Sequence, residues 1–550
     1  GLSVDHAAQD LTVNGAIVAT GAAKLKAGDY ANDGDTSSIV FNAGKSVTAG
    51  SVDFSAAGDI KNASGVATVK AAYGDFVAET GSISLKNLDI QTINKIEASN
   101  DIVVTDTGDN DLTINGMTAG GKIDVEKTKK NVIVTKDAVV QSGTKGAATD
   151  KSMTFKVDDG TFTFNGDSTI TGKIQAPETL TINASSDITL HGNIQALNGT
   201  GAADPKVVKA AELKSGGTVI ADNAKNDFVG YVAAEAAPSR SITLNDVNNL
   251  TLGVIKGETA SLSAENGAIA MNGTDEASVN KLTATAKGIE FQNDKALTLS
   301  GVQQTDSAKA LNIVAKGNIE QNLSVDAQGE ANFTAANGAT KYDVTLSNDA
   351  NDFDSASKAK VVNIVDAKNV KIVDKNDLAL GNVTASGSLD VTAGGTANGN
   401  ISQTAVDALS NPNVLAVEGT TKFTATKGSV GVLGENKMKG ALTVNAHDDV
   451  TVRNDMKLTV GSVYSKAGNV VLYTTDASAL SVPAFSETTD YTAGTVVGYN
   501  GKHYTANATH SAASWNAADW TEVTGSDLVV PVGGSVEAES GSVTLAAYDD

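Results

Sequence analysis

The sequence predicts an all-β fold, a right-handed parallel β-helix (solenoid) carrying one small inserted β module. Three observations point there. Apolar residues come in short runs with period-two alternation, bounded by Asn, Asp and Gly, as in LTVNGAIVATG from Leu11 and TLTINASSDITLHGNIQAL from Thr179. Phrases recur. "NDF" opens at Asn226 and again at Asn351, and DVNNLTLG (Asp246 to Gly253) answers DKNDLALG (Asp374 to Gly381). A looser echo runs from Leu442 to Leu472. Repeated short strands indicate coils that bury their apolar faces on their neighbours. The third observation is compositional. Six prolines in 550 residues suit a chain held mostly inside hydrogen-bonded ladders, because proline removes a ladder donor.

Taken along the chain, residues 1–483 read as the helix body, with coils of roughly 20 residues, at the short end of known repeat periods. Aromatics are 4% of the chain, so small and β-branched side chains are expected to fill a narrow interior. Polar stretches from Gly28 and from Gly199 read as loops thrown out at one corner, the second holding a short helix around Val207 to Leu213. The composition shifts within residues 484–525, which hold both tryptophans, Trp515 and Trp520, with Tyr491, Tyr499 and Tyr504. So short a domain needs aromatics for its core. Residues 526–550 resume the strand grammar as the final coils. Insertions are tolerated in solenoid loops, so the module reads as inserted into one.

Composition also bounds function. The net charge is −23, with only Arg240 and Arg453 as arginines, so nucleic acid, anionic membranes and polyanionic sugars are poor partners. No apolar stretch approaches the roughly 20 residues of a membrane span. The chain has no cysteine, which is ordinary for a long extracellular ladder that needs no staples. No signal peptide stands at Gly1, which reads as the start of a mature chain or of an excised piece of a longer one.

The NDF copies, with Gly387, Leu389, Val391, Thr392, Ala393, Gly394 and Gly395 followed by Ile401 and Gln403, resemble the filamentous-haemagglutinin-type exoprotein repeats of bacteria. That resemblance implies a secreted right-handed parallel β-helix on or outside the cell. The family's Asn-Pro-Asn secretion motif has one match, at Asn411, Pro412 and Asn413, deep in the chain, where it reads as a turn. Residues 485–523 resemble chitin-binding-type (family 5/12) carbohydrate-binding modules through Tyr491, Gly494, Val496, Tyr499, Asn500, Gly501, Lys502, Tyr504, Ala506 and Trp520. This implies polysaccharide as a partner, with Tyr499, Tyr504, Trp515 and Trp520 as glycan-binding residues. Asn507 and Ala508 stand where many such modules carry paired tryptophans.

Catalytic chemistry finds little footing. Asp448 and Asp449 beside His447 are the nearest approach to a carboxylate cluster and read as a solvated corner. Calcium is the one candidate ion, at Asp29, Asp33 and Asp35, at Asp106, Asp109 and Asp111, and at Asp349, Asp352 and Asp354, where hard oxygens recur at close spacing. Solvated turns are the competing reading for each. The expectation is therefore a non-enzymatic extracellular structural protein. Its tips carry no recognisable caps, and copies are expected to add to one another head to tail or by strand addition, forming a surface filament or layer. The alternative is a cell-surface adhesin that presents the module to a glycan.

Overall fold

The computed structural model describes residues 1–550 apart from 7–8, 29–33, 64, 145–149, 166–172, 354–360, 395–398, 404–412, 475–482, 494, 501, 523–526 and 548–550. The chain forms two compact units, Gly1–Asp294 and Lys295–Asp550. Each is a parallel β-solenoid.

In the first unit, alternate residues of successive strands stack into inward rows. One row runs Ile102, Ile123, Met153, Leu180, Ala211 and Val232, each paired in register with the next. A second runs Leu112, Val132, Phe162, Ile188, Val219 and Ile242. A third carries Val140, Ile174 and Ile194. All are buried. Period-two alternation puts these residues inside and their polar neighbours outside. Residues bonded between adjacent coils are mostly 16 to 21 apart where turns are tight and up to 33 apart where a loop intervenes.

The second unit repeats the plan. Its rows include Ile313, Phe333, Ile364, Val383 and Leu415, and Leu378, Ile401, Val430, Val450, Val470 and Val543. The interiors are not limited to small side chains. Phe54 packs 5.4 Å from Phe41 and 5.6 Å from Phe76, ring to ring.

The repeat's glycine has a steric reason. A Cβ on Gly253 would lie 2.7 Å from the Tyr231 ring, and one on Gly381 would lie 1.9 Å from Asn363 Oδ1. In both copies the side chain of the coil before leans over this position, and only glycine leaves it room.

The helix expected at Val207 to Leu213 is not there. A single 3-10 turn, Pro205–Val207, is capped by Asp204 and gives way to the strand Lys209–Ser215. Ala211 and Leu213 fall on the inward row between Leu180 and Ile182 on one side and Val232 and Ala234 on the other. Completing that ladder outweighs the modest helix preference of KAAELK.

Between the strands Val470–Thr474 and Leu528–Val529 lies a separate antiparallel sheet of Val496–Tyr499, Lys502–Ala506 and Trp520–Glu522. Asn500, at φ 49, takes the left-handed conformation a tight hairpin asks for. The solenoid ladder closes across this stretch: Val470 pairs with Val543, and Ser462 with Ser535, 73 residues apart.

Candidate functional site

Among the described residues, the most elaborate polar arrangement is a buried corner that occurs three times. Asn226, Asn351 and Asn436 are fully buried. Each stands two residues before an inward apolar residue, Phe228, Phe353 or Met438. Each side-chain oxygen accepts a backbone N–H from the coil before: Ile194 at 2.9 Å, Val325 at 2.9 Å and Leu415 at 3.0 Å. Each side-chain nitrogen donates to a backbone carbonyl, that of Ala221, Val373 or Arg453. The next coil then returns the arrangement. The N–H groups of Phe228, Phe353 and Met438 donate at 2.8 Å to Asp246, Asp374 and Asn454. The residues that follow, Val247, Lys375 and Asp455, donate their N–H to the carbonyls of Asn226, Asn351 and Asn436. The strand alternation breaks at such corners, and these side chains supply the partners the orphaned backbone groups need. An unmade bond in so buried a place costs about 1–3 kcal/mol.

Two of the corners carry a further amide. Gln321 and Asn351 exchange hydrogen bonds, 2.8 Å to Asn351 Oδ1 and 3.0 Å back to Gln321 Oε1. Gln403 and Asn436 do the same at 3.0 and 3.1 Å. Gln321 and Gln403 each end an Ile-x-Gln strand, Ile319–Gln321 and Ile401–Gln403.

The carboxyls at these corners titrate abnormally. Burial pushes Asp246 up to about 7, against the pull of the Phe228 and Asn248 N–H groups and with Asp227 adding repulsion. Burial also raises Asp374, to about 6, opposed by the N–H groups of Asn376 and Phe353; Asp352 adds to the rise and Lys375 moderates it. Asp106 occupies a corner of the same design. Its oxygens accept from Ile90 N–H and Gly108 N–H, both at 3.0 Å. The residue on its rung in the next coil differs, however. Asp246 pairs with Ala264 and Asp374 with Ala393, whereas Asp106 pairs with Lys127. The Lys127 ammonium lies 2.6 Å from Asp106 Oδ1 and 2.6 Å from the Gly108 carbonyl, and both side chains are 0% exposed.

These placements revise several sequence expectations. Asp106 cannot serve as a calcium ligand, because Lys127 occupies the cation's place. Asp109 pairs with Lys129 at 2.7 Å, and Asp111 accepts from Asn131. Asp35 holds Ser37 through its N–H and hydroxyl; Asp29, Asp33 and Asp354 lie outside the described residues, as do Asn411 and Pro412. Among the described residues, no three His, Cys, Asp or Glu side chains gather as a metal site requires. His447 Nδ1 bonds the half-exposed Asp448 at 2.7 Å, and Asp449 ties the next coil through Asn469 N–H.

In the module, Trp520 is 5% exposed and forms the core with Tyr491, Val497 and Ala506, so it offers no face to a sugar. Tyr504 and Trp515 pack against that core. Tyr499 stacks on Trp515 at 4.0 Å with both rings half-buried. Trp515 lies in turn 5.1 Å from Trp520 and nearly parallel to it.

A family model described as repeats of unknown function (DUF5649) matches residues 286–359 and 367–445. Each matched stretch contains one Gln–Asn pair, with the Ile-x-Gln strand near its middle and the Asn corner near its end. Taking NDF as the opening of the repeat placed its start near the end of the first matched unit. No curated protein and no solved structure matches the chain. No helix among the described residues is long and apolar enough to cross a membrane.

Proposed function

We propose that this chain is a structural protein, a secreted β-solenoid that works at the cell surface or outside it, turns over no substrate, and assembles with copies of itself into a filament or layer. The carrying observation is what the repeat repeats. Its buried Asn, Gln and Asp side chains close backbone ladders between coils, so its most costly polar groups serve the joint between one coil and the next. The resemblance to filamentous-haemagglutinin-type exoproteins and the absence of cysteine support a place outside the cell.

Assembly is supported by the kind of joint the solenoid is built from, one parallel strand laid on another with an apolar row continued between them. The strand Val543–Ala547 lies on Val470–Thr474, and its inward-row Val543 and Leu545 are 44% exposed, whereas Val470 and Leu472 beneath them are 0% exposed. Strands with apolar rungs open to solvent take up further strands. A heterologous contact of that kind between copies does not close and therefore propagates.

Light scattering and negative-stain imaging over a concentration series test this. Growth into filaments or layers is expected, and it should stop in Leu545→Asp and on removal of residues 1–20 while the β circular dichroism persists. A chain that stays monomeric at high concentration, with and without calcium, overturns assembly. Release of reducing sugar or unsaturated uronate from a polysaccharide overturns the non-enzymatic reading.

The half-buried Tyr499–Trp515 stack favours a second reading, an adhesin whose module grips a glycan. It is tested by retention on chitin or cellulose that Trp515→Ala and Tyr499→Ala abolish.

A further inference from the structure

We propose that Lys127 and Asp106 condense into an intramolecular amide, a covalent staple between two adjacent coils. The two residues are in-register partners on one inward row, so the ladder itself holds amine against carboxyl. Nζ lies 2.6 Å from Oδ1, and no part of either side chain reaches solvent. The Gly108 carbonyl fixes the amine at 2.6 Å, while the N–H groups of Ile90 and Gly108 donate to the two carboxyl oxygens. Those donors withdraw electron density from Cγ and stabilise the oxygen on which charge gathers during attack. A second carboxyl, Asp89, lies against Gly108: a Cβ built there would come 2.3 Å from Asp89 Oδ1.

Protonation state decides whether such a pair can react, since an ammonium is no nucleophile and a carboxylate no electrophile. Burial raises Asp106 even with Lys127 beside it, which favours the protonated carboxyl, and a proton passed from nitrogen to that oxygen across the 2.6 Å contact gives the neutral pair. In that neutral pair the Nζ lone pair attacks Cγ and the C–OH bond breaks. The hydroxyl leaves with one amine proton as water, and Nζ keeps one hydrogen as the amide N–H. No oxidant or cofactor enters. Proximity supplies the drive, as two groups held in contact react as if at very high concentration. Asp246 and Asp374 face alanine on that rung, so neither has a lysine as its in-register partner. In a chain without cysteine, an amide of this kind does what a disulfide does elsewhere.

Intact-mass measurement on the purified chain, followed by denaturation, trypsin digestion and fragment sequencing, tests the proposal. The expected result is a mass short by one water, an uncut bond after Lys127, and a branched peptide joining the Asp106 and Lys127 segments. A full sequence mass with Lys127 cleaved normally overturns it. So does a water loss confined to the Asp106 peptide, which marks a cyclic imide instead. Asp106→Asn should give the same branched peptide with loss of ammonia in place of water. Lys127→Arg should abolish the deficit, and a deficit that persists there overturns the assignment.

Discussion

Asp106 and Asp246 sit in the same kind of corner, each accepting two backbone N–H groups, yet they solve the burial of a carboxyl in different ways. At Asp106 the next rung carries Lys127. At Asp246 it carries Ala264, and at Asp374, in the other unit, Ala393. The corner at Asn454 takes a third route and carries no charge. Its amide accepts Met438 N–H and donates to the carbonyls of Met438, Met456 and Lys457. The backbone demand of the corner is therefore constant, namely one N–H from the coil before. Charge is optional, and where it appears the facing rung decides whether it is compensated.

The largest effect comes from removing that compensation. Lys127→Met leaves Asp106 buried without a cation or a covalent partner, and breaking one side of a fully buried pair costs about 3–5 kcal/mol. Ala264→Ser on the equivalent rung of Asp246 removes no cation and should cost far less. A long repeat array need not unfold as one unit, so the readout is local: hydrogen-exchange protection of the Ile90 and Gly108 amides. Equal losses at the two rungs would erase the distinction between the corners.

The uncompensated corners should show themselves through pH. Asp246 and Asp374 have folded-state values of about 7 and about 6 against an ordinary 3.8. With the folded value raised, the folded state binds the proton more tightly. Stability is then fullest below about pH 4 and is lost as pH rises through 6 to 7, by up to about 1.4 kcal/mol per pH unit per carboxyl. The overall charge of −23 adds a repulsion that also relaxes in acid, so the wild-type slope alone proves little. Asp246→Asn and Asp374→Asn isolate the carboxyls, each expected to remove its share of the slope between pH 4 and 7.5. Each also gives up one N–H bond in its turn, so the slope is the measurement rather than the absolute stability. An unchanged slope in both variants would place the pH response elsewhere.

How much of this was legible in the sequence follows from what kind of signal each feature leaves. The strands were plain, because alternation such as Ile123, Val125 and Lys127 fixes which side chains point inward. That same alternation already put Lys127 and Asp106 inside, but the surrounding run KTKK reads as a solvated turn. Asn226 and Asn351 were visible as part of a recurring phrase, and their role was not: an asparagine between strands reads as a turn residue whether its side chain faces water or the interior. The third corner, Asn436 with Met438, shares only the asparagine with NDF and was missed. The signal that would have found it is an Asn two residues before an apolar one, followed 16 to 21 residues after that by an inward Asp or Asn. Around Val207 to Leu213 local helix preference misled, since the ladder partners that override it come from residues about 20 to 30 positions away.

The smallest effect sharpens the comparison among the asparagines themselves. Asn351 and Asn436 exchange two hydrogen bonds with Gln321 and Gln403, while Asn226 meets its demand through Ile194 N–H and the Ala221 carbonyl. If the glutamine is an added reinforcement, Gln403→Leu should leave the Asn436 corner formed, because Leu415 N–H and the Arg453 carbonyl remain its partners. The loss then comes from the two other groups the glutamine serves, the Gly434 N–H and the Asn413 carbonyl. At about 0.5–1.5 kcal/mol for each bond, the two are worth about 1–3 kcal/mol in total when water replaces the lost amide. Hydrogen exchange should accordingly accelerate at Gly434 and stay slow at Leu415. Fast exchange at Leu415 would instead make the Gln–Asn pair the joint itself, with Asn226 as the exception that needs explaining.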